Sequence, residues 1–140
     1  MQTVMDMAEL SAFMAREFPQ VSDDFAIDGL TGDGIIMRLK VADRHLRPGG
    51  TVSGPNMFAL ADVAVYLAIL ARIGPVALAV TTGGSIDFLR KPEAGRDLIG
   101  EARLLKLGRV LAVGDVLIRS EGGAEPVARA NMTYSIPPKR

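Results

Sequence analysis

Between Pro55 and Ile73 the sequence specifies a helix with no polar face. Met57, Phe58, Ala59, Leu60, Ala61, Val63, Ala64, Val65, Leu67, Ala68, Ile69, Leu70 and Ala71 surround one acid, Asp62, the only charged residue between Arg47 and Arg72. Pro55 suits a first helical turn, where its missing N–H is no loss, and Gly74-Pro75 ends the element. A helix apolar all round must be enclosed. The rest of the chain therefore has to wrap it, or a membrane has to. A membrane span over Val52–Ala71 would contain Ser53, Pro55, Asn56 and Asp62. An acid near the centre of a span costs about 2.5–3.5 kcal/mol. The reading is a buried helix, with no membrane partner.

The remaining segments can do the wrapping. Residues 4–17 carry apolar side chains at helical spacing and are followed by Pro19, which predicts a short amphipathic N-terminal helix. Phe25–Leu30 and Ile35–Val41 read as strands joined by a Thr31-Gly32-Asp33-Gly34 turn, and Asp43–Gly54 as an ordered loop. After the long helix come four extended runs: Ala79–Leu89, Asp97–Leu107, Val110–Ser120 and Val127–Ile136, with glycines at the turns. The class expected is α+β: an antiparallel six-stranded sheet around one long central helix, as a single domain over 1–140.

Composition removes several chemistries. Without cysteine there are no disulfides, thiolate metal sites or cysteine nucleophiles, and one histidine, His45, cannot build a multi-histidine metal site in one chain. Sixteen acidic and sixteen basic residues argue against a broad basic surface for nucleic acid. Met1–Phe18 holds Asp6, Glu9, Arg16 and Glu17 and lacks the basic start and apolar run of a secretory leader. The expected location is cytoplasmic.

Asp62 is the residue that needs an explanation. A buried carboxylate is paired, hydrogen-bonded or neutralised. Beside a cleft it is a candidate base or nucleophile; otherwise it caps a backbone group or pairs with Arg44 or Arg47. The helix start, Ser53-Gly54-Pro55-Asn56, is the second feature. Its N–H groups favour negative charge and could polarise a carbonyl, or Ser53 and Asn56 could simply cap the first turn. Gly54 and Asp62 are separated by about 12 Å along one helix, so they cannot meet one carbonyl from the same chain. Two antiparallel helices from two chains could bring them together, which predicts a two-fold dimer with two shared sites.

Ser53-Gly54-Pro55, four residues, then Leu60-Ala61-Asp62 resembles the signature of the phenylacetate-pathway (PaaI-type) hotdog thioesterases. Thr81-Thr82 through Ile86-Asp87-Phe88-Leu89-Arg90-Lys91-Pro92 is similar to that family's Thr…Phe-Leu-Arg-Pro strand, and Lys106-Leu107-Gly108-Arg109 to its basic turn. The resemblance covers roughly Gly29–Ile136. It implies a hotdog fold and hydrolysis of an acyl-CoA, small, aromatic or medium-chain, to acid and coenzyme A. It also implies a homodimer or dimer of dimers, with no metal or cofactor beyond the coenzyme A of the substrate. It makes Asp62 the general base or nucleophile, Gly54 the N–H that polarises the thioester carbonyl, and Thr81 a hydroxyl that helps place water. Arg90, Lys91, Lys106 and Arg109 become candidates for the coenzyme A phosphates, and Asn56 for a substrate contact.

Three positions depart from the family. Its histidine is Ser53 here, still able to donate one hydrogen bond, and a frequent asparagine is Arg47, which could pair with Asp62 or hold an acidic substrate. Gly83-Gly84 replaces larger residues, which suggests a bulge or room for an acyl group. His45 lies off the catalytic positions, so a loop role is favoured over substrate contact. The competing functions are a non-catalytic acyl-CoA-binding protein and a hotdog dehydratase or hydratase.

Overall fold

The structure, a computed structural model, describes residues 1–138. Its helices are α1 (Met7–Glu17), α2 (Pro19–Ser22) and α3 (Gly54–Ile73). Its strands are β1 (Phe25–Leu30), β2 (Gly34–Leu39), β3 (Val80–Phe88), β4 (Leu98–Leu107), β5 (Leu111–Ser120) and β6 (Pro126–Ser135). One antiparallel sheet in the order β1-β2-β4-β5-β6-β3 wraps around α3. This is the expected architecture. The sheet's inner face and α3 form the core, where Leu60, Ala61, Ala64, Leu67, Ala68, Ile69 and Leu70 have no exposed surface. Gly100 lets the helix close on β4: a Cβ there would lie 3.2 Å from Leu60 Cγ.

Several boundaries move for physical reasons. The N-terminal helix starts at Met7 rather than residue 4. Asp6 caps it by accepting the Glu9 N–H while Glu9 accepts the Asp6 N–H. Val4 and Met5 instead donate their N–H groups to the Ala71 carbonyl in the last turns of α3, at 2.7 and 3.2 Å. Pro19, read as a stop signal, also starts the short helix α2. A 3-10 turn, Asp43–His45, lies in the segment read as loop.

Arg72 ties the far end of α3 to the β1–β2 hairpin. It is buried, and its guanidinium donates to the carbonyls of Thr31 (2.7 Å), Gly34 (3.1 Å) and Ala68 (3.2 Å). Carbonyl oxygens at the carboxyl end of a helix suit a cation, so no carboxylate is needed.

Candidate active site

Asp62 stands in the first half of α3 where one stripe is left partly open: Pro55, Phe58, Ala59 and Asp62 are half-buried or exposed. Facing this stripe is β3, one of the two edge strands of the sheet. Two hydroxyls hold the carboxylate. Thr81 Oγ1 and the Tyr134 hydroxyl each donate to Asp62 Oδ1 at 2.7 Å, and the tyrosine hydroxyl also lies 3.0 Å from the Asp62 carbonyl oxygen. No described residue hydrogen-bonds Asp62 Oδ2 or forms an ion pair with the carboxylate. Arg44 pairs with Asp24 instead, and Arg47 is exposed. The arginine-paired alternative is therefore not the arrangement adopted.

A strand irregularity brings Thr81 to the helix. Directly opposed residues of antiparallel strands share a face. Gly84, Ile86 and Phe88 oppose Met132, Ala130 and Ala128, all buried on the inner face. Strict alternation would then turn Thr82 inward and Thr81 outward. The register shifts between Thr81 and Gly83, so Thr82 is the extra residue of a bulge and Thr81 opposes the inward Tyr134. The Gly83-Gly84 pair lies beside this bulge, as the sequence suggested.

Tyr134 carries no signal in the sequence beyond that of a core aromatic in a strand. It is 3% exposed, and its ring stacks on Tyr66 at 6.0 Å between centroids and 28° between planes. Tyr66 lies one turn beyond Asp62 on α3 and donates its own hydroxyl to the Ala77 carbonyl at 3.0 Å. Burial, then the neighbouring Asp62 charge, push the Tyr134 hydroxyl far above the usual phenol range. It is a permanent proton donor to the carboxylate.

The helix start is built as a cap. Ser53 Oγ accepts from the Asn56 N–H (3.4 Å) and from Asn56 Nδ2 (2.7 Å). Asn56 Nδ2 also lies 3.2 Å from the His45 carbonyl, which accepts the Ser53 N–H at 2.9 Å. Ser53 and Asn56 thus spend polar groups on the first turn and the preceding loop. His45 is 2% exposed; its Nδ1 accepts the Ala42 N–H, and its Nε2 sits 3.3 Å from Asp24 Oδ1 but off the line of a hydrogen bond. The histidine holds the loop. The Gly54 N–H has no partner among the described residues. The glycine leaves room for the tip of the Phe88 ring, which a Cβ would approach to 2.9 Å.

The candidate phosphate ligands fall into two groups. Lys106, near the end of β4, and Arg109, in the turn that follows, lie close to Leu111 at the start of β5, which pairs with Ser135, as does Val80 at the start of β3. That is the Thr81–Tyr134 end of the edge strand. Arg90 and Lys91 follow the other end, beside Phe88 and Gly54, where Arg90 pairs with Glu125 and donates to the Pro126 carbonyl. In one chain the two groups are at opposite ends of β3. Gly83, expected to give room to an acyl group, alternates with the inward Gly84 and so faces outward with Ser85 and Asp87; a Cβ there would meet nothing within 4 Å, but that space is on the side of the sheet away from Asp62. A trough of about 700 Å³ lies elsewhere, on the outer face of the sheet, among Ser85, Glu101, Arg103, Asp115, Leu117 and Arg129. It is separated from Asp62 by the sheet itself.

Residues 49–127 match the family described as the thioesterase superfamily. Among solved structures, a Silicibacter protein assigned as a thioesterase is 64% identical, with a TM-score of 0.93 over 99% of this chain and 96% of that one. The phenylacetic acid degradation protein PaaI of Thermus thermophilus is 27% identical, with a TM-score of 0.71 over 85% and 99%. A Streptococcus pneumoniae thioesterase protein solved with coenzyme A shares the fold at 22% identity, with a TM-score of 0.73 over 96% and 99%.

Proposed function

The chain belongs to the thioesterase superfamily and is a thioester hydrolase, and from that premise we propose that it cleaves acyl-coenzyme A with Asp62 as the reacting carboxylate. The observation that carries this reading is the state of that side chain: Oδ1 is held by two hydroxyls and Oδ2 is unbonded, on the open stripe of α3. In the reaction, water adds to the thioester carbonyl and the C–S bond breaks, giving a carboxylic acid and the thiol of coenzyme A. Asp62 Oδ2 either takes the proton of the attacking water or attacks the carbonyl itself, forming a mixed anhydride that water then opens. The Gly54 N–H, at the positive end of the α3 dipole, is the proposed donor to the carbonyl oxygen. No cofactor is invoked beyond the coenzyme A of the substrate.

The two halves of this site come from two copies of the chain. Gly54 lies beside Phe88 at one end of β3, and Asp62 beside Thr81 at the other. If two β3 edges pair antiparallel about their middle, each Gly54 arrives opposite the other copy's Asp62. The same pairing brings Arg90 and Lys91 of one copy to the end where Lys106 and Arg109 of the other lie. Four cations then face the coenzyme A phosphates. The exposed apolar side chains Val80 and Phe88 on an unpaired edge strand, and Leu89 just past its end, favour this partner. The coenzyme A carried by the Streptococcus fold relative supports the substrate class. The acyl group proposed is small, aromatic or medium-chain, and Gly83, on the outer face, is not part of its pocket within one chain.

Hydrolysis of acetyl-, hexanoyl- and benzoyl-CoA by the wild type and by Asp62→Asn tests the proposal. The variant should lose at least about 10²-fold in kcat while still binding coenzyme A. Unchanged turnover in the variant rejects the role of Asp62. Tight coenzyme A binding by a wild type that hydrolyses none of the three substrates points instead to a non-catalytic binding protein.

A further inference from the structure

We propose that Tyr134 is a positioning residue: together with Thr81 it clamps the Asp62 carboxylate through Oδ1, so that Oδ2 alone is presented to the substrate. The inference rests on reading Asp62 as the reacting carboxylate and assigns the oxygen that reacts.

A carboxylate oxygen has two acceptor positions. On Oδ1 both are occupied, by hydroxyls at 2.7 Å each, whereas Oδ2 has no protein partner among the described residues. A single donor would leave the carboxylate free to swap its oxygens by rotating about the Cβ–Cγ bond. Two donors converging on one oxygen from neighbouring strands prevent that rotation. The same hydroxyl lies 3.0 Å from the Asp62 main-chain oxygen, so its one proton sits between that oxygen and the closer Oδ1 and keeps the tyrosine against this residue.

The clamp is supported by rigid elements. Thr81 and Tyr134 are directly opposed across the β3–β6 ladder, which fixes their separation. The Tyr134 ring is stacked on Tyr66, whose hydroxyl is anchored to Ala77, so the tyrosine cannot swing away from the acid. The Thr81 proton is committed to Asp62, and only its lone pairs remain to receive a water molecule. Tyr134 is buried behind the carboxylate at 3% exposure and does not meet substrate itself. Its effect on the reaction passes through Asp62.

Kinetics with the best of the three acyl-CoA substrates above test the clamp, using Tyr134→Phe, Thr81→Val, Asp62→Asn and the double variant Asp62→Asn/Tyr134→Phe. Tyr134→Phe keeps the stacked ring and removes only the hydroxyl. Its kcat should fall at least ~10-fold with KM within about twofold, the pattern of lost alignment in the transition state. In the Asp62→Asn background the same substitution should cause no further loss, because no carboxylate is left to align. If Tyr134→Phe is too unstable to assay, Thr81→Val removes the other donor and must show the same split between kcat and KM. Wild-type kcat in Tyr134→Phe beside an inactive Asp62→Asn overturns the clamp alone. An equal further loss in the Asp62→Asn background also overturns it, as the mark of a merely structural residue. Full activity in Asp62→Asn overturns the reading beneath it.

Discussion

Phe58 packs over Gly84: a Cβ on that glycine would stand 3.4 Å from the ring's Cζ. Phe58 is also the midpoint of α3 between Gly54 and Asp62, four residues from each. Gly84 lies near the middle of the β3 segment between Thr81 and Phe88. Helix and edge strand thus share one centre, and the two-fold axis of the proposed dimer would serve both if it passed there. Because opposed strand residues must share a face, the axis of such a dimer would fall at Gly84 or Ser85 and not between them.

That geometry predicts that the chain is not a monomer. Light scattering at micromolar concentration should give at least twice the chain mass of 14.9 kDa. A mass of one chain would remove the partner that supplies the Gly54 N–H.

Charge reversal at Arg109 should act on binding rather than on chemistry. Arg109→Glu is expected to raise KM for an acyl-CoA about 10-fold with kcat little changed, the signature of lost uniform binding. The difference from wild type should shrink in high salt, since the contact is at the surface. An unchanged KM at low salt would take Arg109 out of the coenzyme A site.

Much of this was legible in the residues, and the reasons for the rest are physical. The all-apolar helix revealed the architecture, and the lone acid within it marked the candidate site, because both are conspicuous against local pattern. Sheet order was not legible: β3 follows α3 in the chain yet pairs with β6, and no turn signal reports a pairing between strands so far apart. Tyr134 was hidden for the same reason. Its alternation is that of a core residue, and only the β3–β6 register with the bulge at Thr82 places it against Asp62. Ser53 and Asn56 read equally well as substrate contacts or as a cap, since both uses need the same polar groups at a helix start. Their hydrogen bonds are those of the cap.

Acid should loosen the loop that leads into α3. Burial opposes the charge on Asp24, but the hydrogen bond and charge of Arg44 and the nearby His45 ring outweigh it, and its carboxyl is lowered from the ordinary 3.8. A carboxyl lowered by folding contributes stability that is fully present above its unfolded value and is lost as pH falls through the folded value. Asp24→Asn should cost about 1 kcal/mol near neutral pH. The gap from wild type should close below pH 3.8, read by thermal unfolding at a series of pH values. A gap independent of pH would mean that the charge contributes nothing.

Two glycines of one turn should behave in opposite ways. A Cβ at Gly34 would lie 1.6 Å from the Ala102 carbonyl oxygen, a backbone atom that cannot yield, whereas at Gly32 it meets nothing within 4 Å. Gly34→Ala should destabilise by at least about 3 kcal/mol and Gly32→Ala by less than about 0.5 kcal/mol, measured by denaturant unfolding. Similar values for the two would contradict the close β2–β4 approach.

The shared site is tested most directly by mixing two inactive variants. Asp62→Asn lacks the carboxylate but keeps the helix tip. Gly54→Pro lacks the N–H but keeps the carboxylate, and a proline at the first helical position is compatible with the helix. Its Cβ meets only the tip of the exposed Phe88 ring, a side chain that can turn aside. Dissociated and re-associated together at equal amounts, half of the dimers are mixed, and each mixed dimer holds one site with both native groups. Specific activity should recover to about one quarter of wild type if the site spans a two-fold interface. A mixture that stays at the level of its inactive parents would place Asp62 and its N–H donor in the same chain and contradict the account.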